Sequence, residues 1–176
     1  MSLSSSFVTI AKTVLGSAAA NITFSNIPTI YNRLYLVVLA RSAAVATNDT
    51  LQLQVNGVVS GYVTSSLFQS GNNTVTAASS LSQTVVLLGT VPAASATAST
   101  VGVSSVWLIS QKNTTDQKVI MSNFVSFWTP GTGLGENRVT MSYNTTNSNA
   151  ITSIVILLSS ASNLVANTVA ILYGQI

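Results

Sequence analysis

Short runs of β-branched and aromatic residues recur along this chain, and clusters of Gly, Asn, Ser and Pro separate them. Val, Ile, Thr and Tyr favour the pleated surface of a β-strand, and no segment shows the period of an amphipathic helix. The pattern is typical of an all-β fold, and we expect an antiparallel β-sandwich that is jelly-roll-like. The predicted strands cover residues 7–15, 20–24, 34–41, 51–55, 58–66, 83–90, 101–110, 118–127, 138–143, 153–159 and 168–173.

The length of 176 residues fits a single domain with a core of its own. We expect the sandwich domain to occupy residues 7–176 and the Ser-rich residues 1–6 to form a flexible N-terminal arm. The N-terminus has neither the basic nor the apolar region of a signal peptide. The longest apolar runs, 34–40 and 154–158, are far shorter than the roughly 18 residues that span a bilayer. The sequence therefore predicts a soluble chain that makes no membrane contact.

A turn is predicted at Asn56-Gly57, between two of the apolar runs. Both central residues of a type I′ turn need positive φ, which Asn and Gly adopt most easily. Leu51, Leu53 and Val55 alternate with glutamines in the run before the turn. We therefore expect a β-hairpin that joins 51–55 to 58–66.

Charged residues are scarce, with six Lys and Arg, three Asp and Glu, and no His or Cys. A soluble domain normally has about a quarter of its residues charged. Without Cys or His the chain has no disulfide, no thiolate or imidazole metal ligand and no histidine base, so we expect no cofactor or metal. The six cations are scattered, which argues against nucleic acid as a partner.

No catalytic residues are predicted, and we expect that the protein is not an enzyme. The acids Asp49, Asp116 and Glu136 are far apart in the sequence, and we interpret them as solvated carboxylates in loops. The glycines of 131–135 do not have the spacing of a phosphate-binding loop and precede a predicted strand, which favours a flexible loop. Serines are abundant, but no base for a nucleophilic serine is evident.

Three strands, within 34–39, 85–88 and 154–158, are apolar on both faces. An antiparallel sandwich normally has one face of each sheet in water, so the second face of these strands needs a cover. A loop or a third layer of the same subunit is one possible cover, and another subunit is the other. The scarcity of charge favours another subunit. The candidate interface residues are Leu34, Leu36, Val38, Leu39, Ile154, Ile156 and Leu158.

Aromatic residues offer an alternative binding function. An exposed set of rings could stack on sugars, although aromatics of a β-sandwich more often lie in the core or at an interface. The rings considered are Tyr31, Tyr62, Phe68, Trp107 and Trp128.

Two segments resemble a family of tailed-bacteriophage virion structural proteins. The first runs from Asn21 through Ile27-Pro28 to Tyr31 and Leu34, and continues with Ala40-Arg41-Ser42 and Val55-Asn56-Gly57. It is similar to the family's "ITFSSIPxTYxxLxLxxxARS…FNG" opening. The second, Asn149 to Ile154 and then Asn163 to Gly174, resembles the closing "NAITSIxIxxxxxNFxxGSxxxLYGI". Asn167 and Leu164 depart from the family pattern, and the middle third of the chain shows no match.

The resemblance implies a place in a virus particle and transfers no catalytic residue. Together with the small size, the single domain, the strands that are apolar on both faces and a surface rich in Ser, Thr and Asn, it leads us to expect a capsid decoration (cement) protein. We expect a homotrimer that binds the major capsid protein on the outer head surface after synthesis in the host cytoplasm. The alternative is a tail or head-fibre module that binds a host-surface glycan through loops such as 70–76 and 113–118.

Overall fold

In the described part of the chain, twelve antiparallel strands form two sheets in the computed structural model, which confirms the predicted single-domain β-sandwich. The structure describes residues 6–71, 74–97, 100–109, 116–129, 134–145 and 148–176, without the side chains of Thr129 and Leu134. Residues 1–5 of the predicted arm lie outside this part. The strands are β1 Phe7–Val14, β2 Asn21–Phe24, β3 Arg33–Ala40, β4 Asn48–Val55, β5 Tyr62–Ser70, β6 Val75–Gln83, β7 Val86–Pro92, β8 Gly102–Ile109, β9 Val119–Thr129, β10 Leu134–Asn144, β11 Ile154–Leu158 and β12 Val169–Gln175.

The larger sheet has eight strands in the order β1-β12-β3-β8-β9-β10-β5-β6, and the smaller has four in the order β2-β11-β4-β7. β7 lies against β8, β9 and β10 of the larger sheet. β6 is exposed or half-exposed along its whole length, so the smaller sheet leaves that end of the larger sheet uncovered. Eleven of these twelve strands match a predicted strand, and β6, which shares only Gln83 with a predicted range, is the one that was not predicted.

The core lies between the sheets and consists of the side chains that alternate inward. In β3, Leu34, Leu36 and Val38 have no accessible surface, and in β4 the same is true of Leu51 and Leu53. The two-residue period of a strand sends every second side chain to this side. The core is mostly aliphatic, and its aromatic members are Phe24, Tyr31, Tyr62 and Phe124. No helix long and apolar enough to cross a membrane occurs in the described ranges.

The turn at Asn56-Gly57 forms, but the predicted hairpin does not. Asn56 and Gly57 have φ values of 54° and 66°, and the Val58 amide donates to the Val55 carbonyl at 3.0 Å. β4 pairs with β7 and β11, whereas β5 pairs with β6 and β10 in the other sheet. The turn therefore carries the chain from one sheet to the other, and the hairpin prediction was wrong.

The two segments that carry the family resemblance contact each other in the fold. The Asn56 side chain donates to the Ala150 carbonyl at 2.9 Å and accepts from the Thr152 amide at 2.8 Å. The ring of Tyr31 lies against Gly174, where a Cβ atom would come within 2.4 Å of it. These motif residues therefore have structural roles, since they join the opening segment to the closing one.

Candidate interaction surface

The predicted interface residues lie mostly in the subunit's own core. Leu34, Leu36, Val38, Ile154 and Ile156 have no accessible surface, and Leu158 has 3%. Because a side chain without accessible surface cannot touch a second subunit, these six positions are core positions, which corrects their assignment. Leu39, 36% exposed, is the one of the seven that points outward. The sequence showed that both faces of these strands are apolar but could not show which face is covered.

An uncharged apolar surface does exist, on the outer side of the larger sheet. We call it the apolar face, and its residues are Leu67 of β5, Met121, Val125 and Phe127 of β9, and Val139, Met141 and Tyr143 of β10. All seven are exposed, from 36% for Met121 to 58% for Leu67. The other described side chains of these three strands that point outward are uncharged. The two charged residues of β10, Glu136 and Arg138, point inward.

Strand register makes the apolar face continuous. Met141 lies directly opposite Met121 of β9, and Val139 lies opposite Leu67 of β5. Side chains directly opposite in an antiparallel pair have Cβ atoms about 5 Å apart, so these residues form cross-strand contacts. A shallow groove of about 430 Å³ runs beside them, lined by Ser65, Ser66, Leu67, Ala77, Ala78, Ser79, Val139 and Met141. The face can accept an apolar partner and offers no charged group to orient a polar ligand.

The opposite half of the outer side is covered by its own rings. Tyr35 of β3 lies opposite Trp107 of β8 and Tyr173 of β12. The Tyr35 and Trp107 ring centroids are 4.6 Å apart, and Phe7 of β1 lies 5.6 Å from Trp107. We call these four residues the aromatic cluster. Mutual contact half-buries Tyr35, Trp107 and Tyr173, so this half exposes less apolar surface.

Beneath the apolar face, the inner side of β10 and β5 is polar. The Arg138 guanidinium donates to the Glu136 carboxylate at 2.7 Å and to the Ser66 hydroxyl at 3.0 Å, and it lies 4.2 Å from the centre of the Phe68 ring. Glu136 also accepts from the Thr90 hydroxyl of β7 at 2.8 Å. We call these five residues the polar layer. It joins the smaller sheet to the larger by hydrogen bonds where the aliphatic core ends.

Two of the three acids are buried strand residues, so their assignment to solvated loops was wrong. Glu136 is 4% exposed in β10, and Asp49 is 6% exposed in β4. Asp49 accepts hydrogen bonds from the hydroxyls of Ser42, Ser159 and Ser160. Burial raises the pKa of Asp49, but the hydrogen bonds from these serines and from the Thr50 amide outweigh it and hold the pKa below its usual value. The carboxylate thus organises neighbouring turns.

Arg41 has a similar structural role. Its guanidinium donates to the carbonyls of Ala93, Ala96, Thr97 and Thr100 at 2.7 to 3.1 Å. One side chain thereby fixes both ends of the connection between β7 and β8. The motif Ala40-Arg41-Ser42 therefore serves the fold, since Ser42 donates to Asp49 while Arg41 holds this loop.

The five aromatic residues considered for sugar stacking do not form one platform. Tyr31, Tyr62 and Trp128 are buried in the subunit, at 7%, 0% and 7% exposure. Trp107 belongs to the aromatic cluster, and Phe68 lies under Arg138 on the inner side. The platform alternative finds no support in this arrangement, and the favoured expectation that these aromatics lie in the core holds for the three buried residues.

The remaining candidates yield no further site in the described residues. No group of three acidic side chains is close enough to hold a metal ion there. Residues 72–73 and 113–115 of the proposed glycan loops, and 131–133 of the glycine-rich loop, lie outside the described ranges. Gly135 belongs to β10. Compared with known proteins, the chain matches no family model, no curated protein and no solved structure.

Proposed function

We propose that this chain is a bacteriophage virion structural protein that acts as a capsid decoration (cement) protein. It binds the outer head surface as an oligomer, a homotrimer, and stabilises contacts between subunits of the major capsid protein. The uncharged apolar face carries the proposal of a surface-binding role. The resemblance of the opening and closing segments supports the placement in a phage particle.

The chemistry of the apolar face suits permanent contact better than catalysis. Burial of exposed residues such as Phe127 and Met141 in a contact lowers the free energy by about 25 cal/mol per Å² of apolar area. A solvated monomer rarely keeps a large contiguous apolar surface, and such surfaces usually mark an interaction site. Binding in many copies adds avidity, so each subunit need only bind weakly.

Rebinding to stripped capsids tests the proposal. We expect purified wild-type protein to rebind heads that lack it and to raise the temperature at which they open. Met141→Lys should fold normally, because residue 141 is exposed, yet bind at least about tenfold more weakly, because a charge is desolvated in the contact. Thr23→Lys is the matched control, since Thr23 is exposed in β2 of the smaller sheet.

Two results would contradict the proposal. One is wild-type protein that stays monomeric and does not rebind capsids at any concentration. The other is equal rebinding by wild type and M141K, which would show that the apolar face does not contact the capsid. Copy number separates the alternative function: hundreds of copies per particle indicate a cement protein, and a few at a vertex or tail tip indicate a glycan-binding module. The buried aromatic residues give that alternative no sugar-stacking platform.

A further inference from the structure

The outer edge of the larger sheet at β6 is open. β6 pairs with β5 on one side, and no described strand lies on its other side. An edge strand presents unpaired backbone N–H and C=O groups that another strand can pair with. All nine residues of β6 are exposed or half-exposed, and none is charged or proline. The β6 edge therefore has none of the side chains by which proteins usually prevent edge-to-edge pairing.

The opposite edge of the same sheet, at β1, is different. Exposed Lys12 lies within β1, and its register with β12 shifts between Thr9 and Ala11. A lysine and a bulge are two of the usual protections of an edge strand. In β6 the register is continuous from Val75 to Ser80, and the irregularity comes only beyond it. One edge is protected, and the other presents six regular residues.

We propose that β6 pairs antiparallel with β6 of a second copy about a two-fold axis, so that the two larger sheets become one. The central residues Ala77 and Ala78 are small, and no charge on β6 repels its own copy. A two-fold axis perpendicular to the sheet keeps both apolar faces on the same side. The groove beside Ala77 and Ser79 then lies next to its symmetry mate, which extends the uncharged surface across both copies.

Charge argues against the other possible edge contact, between β6 of one copy and β1 of the next. That contact would bring Lys12 against a strand that offers no carboxylate. It would also be head-to-tail and would generate rings or open filaments, whereas the two-fold contact closes. Pairing along six residues covers less area than a standard interface, so we expect a dissociation constant on the order of micromolar.

The inference does not rest on the proposed function, because it concerns the isolated chain. A two-fold contact differs from the three-fold contact of a homotrimer and would link subunits of neighbouring trimers. A failure of capsid binding would leave it intact.

Analytical ultracentrifugation of charge variants tests the contact. Ala77 is exposed, so Ala77→Lys and Ala77→Glu should fold like wild type. In a two-fold pair residue 77 lies opposite or diagonal to its own copy, and like charges there weaken pairing. We expect each variant alone to associate at least about tenfold more weakly than wild type and to give a species of half its mass or less. An equimolar mixture of A77K and A77E should regain the wild-type mass.

Thr9→Lys, on the exposed part of β1, is the matched control and should leave the mass unchanged. Loss of association in both T9K and A77K, without rescue by mixing the two Ala77 variants, would replace the two-fold contact with a β6–β1 contact. Wild-type mass in A77K at a few micromolar, or a wild type that is no heavier than the A77K species anywhere between about 1 and 100 μM, would overturn the proposal. Amide hydrogen exchange provides a second readout. We expect the amides of β6 to exchange more slowly in wild type than in A77K.

Discussion

The two ends of the larger sheet differ in almost every property. At the β1 end, inward residues such as Leu36 and Leu172 have no accessible surface, and the outward side carries the half-buried aromatic cluster. At the β6 end, the inward side carries the polar layer, the outward side is the apolar face, and the edge strand is uncharged. The β1 end buries most of its apolar residues within the subunit, and the β6 end leaves a contiguous set of them exposed.

The contrast between the two ends suggests that one end contributes mainly to folding stability and the other mainly to contact with other chains. Burial within the chain contributes to folding whether or not a partner is present, while an exposed apolar side chain contributes only when something covers it. The β1 end should therefore account for most of the free energy of unfolding, and the β6 end for most of the contact with other chains. Point substitutions can test this division.

The largest difference is expected between two leucines. Leu36→Ala removes a side chain without accessible surface from the core and should lower the free energy of unfolding by about 2–5 kcal/mol. Leu67→Ala, on the apolar face, should change it by no more than about 0.5 kcal/mol. Urea unfolding monitored by circular dichroism measures both. Equal losses would show that the β6 end supports folding as strongly as the β1 end.

The polar layer should respond next most strongly. Glu136→Gln leaves Arg138 without its carboxylate and weakens the hydrogen bonds to Thr90, at a cost of about 1.5–3 kcal/mol. Asn137→Gln, at the exposed neighbouring position, is the control and should be close to neutral. Thermal unfolding of both variants gives the comparison. A neutral E136Q would mean that the polar layer does not hold β7 to β10.

Asp49 offers a test by pH. Asp49→Asn should cost on the order of 1.5 kcal/mol at pH 7, because the charged carboxylate accepts hydrogen bonds from three serines. The pKa of Asp49 in the folded protein lies below its ordinary value of 3.8, so this stabilisation is present above about pH 4 and is lost as the pH falls through the folded pKa. Urea midpoints of wild type and D49N should therefore converge in acid. A gap that stays constant down to pH 2 would contradict the charged role of Asp49.

The aromatic cluster should give the smallest effect. Phe7→Ala removes a ring that is itself 47% exposed and that contacts Trp107 and Tyr35, so we expect a loss of about 0.5–1.5 kcal/mol. Tryptophan fluorescence should shift to longer wavelength as water reaches Trp107. Val8→Ala, at the next residue of β1, is the control and should leave the emission unchanged. An unshifted spectrum in F7A would show that Phe7 does not shield the cluster.

Local sequence pattern was sufficient for most of the fold, because strands such as β3 and β11 consist of β-branched and aliphatic residues. β6 was missed because its central residues are Ala and Ser, which have little intrinsic preference for strands, and its pairing with β5 supplies the structure. The separate partners of β4 and of β5 were also beyond local pattern. Asn56-Gly57 specifies a turn, but which sheet the next strand joins depends on packing across the whole domain.

The sequence led us to expect apolar surface outside the core, but at the wrong positions. The scarcity of charge indicated that apolar surface remains available to partners, but the most apolar strands were chosen as its site. Those strands are the core, since the residues with most to gain from burial, such as Leu34 and Ile156, are already buried in the subunit. The signal that could have found the apolar face is the alternation of Val139, Met141 and Tyr143 with the polar residues Thr140 and Ser142. Here the usual arrangement is reversed, because the polar side chains point inward and the apolar side chains point outward.

The strand order also determines when this chain can fold. β1 and β3 both pair with β12, and β12 is the single described neighbour of β1 in the sheet. β1 therefore cannot pair until residues 169–175 have been synthesised. Contacts between residues so distant in sequence form slowly, on a scale of about milliseconds to seconds for β-rich domains. During synthesis on the ribosome, β3 and the other aliphatic strands must therefore emerge long before their neighbours. Until those neighbours emerge, the apolar strands stay unpaired, and unpaired strand edges are prone to aggregation.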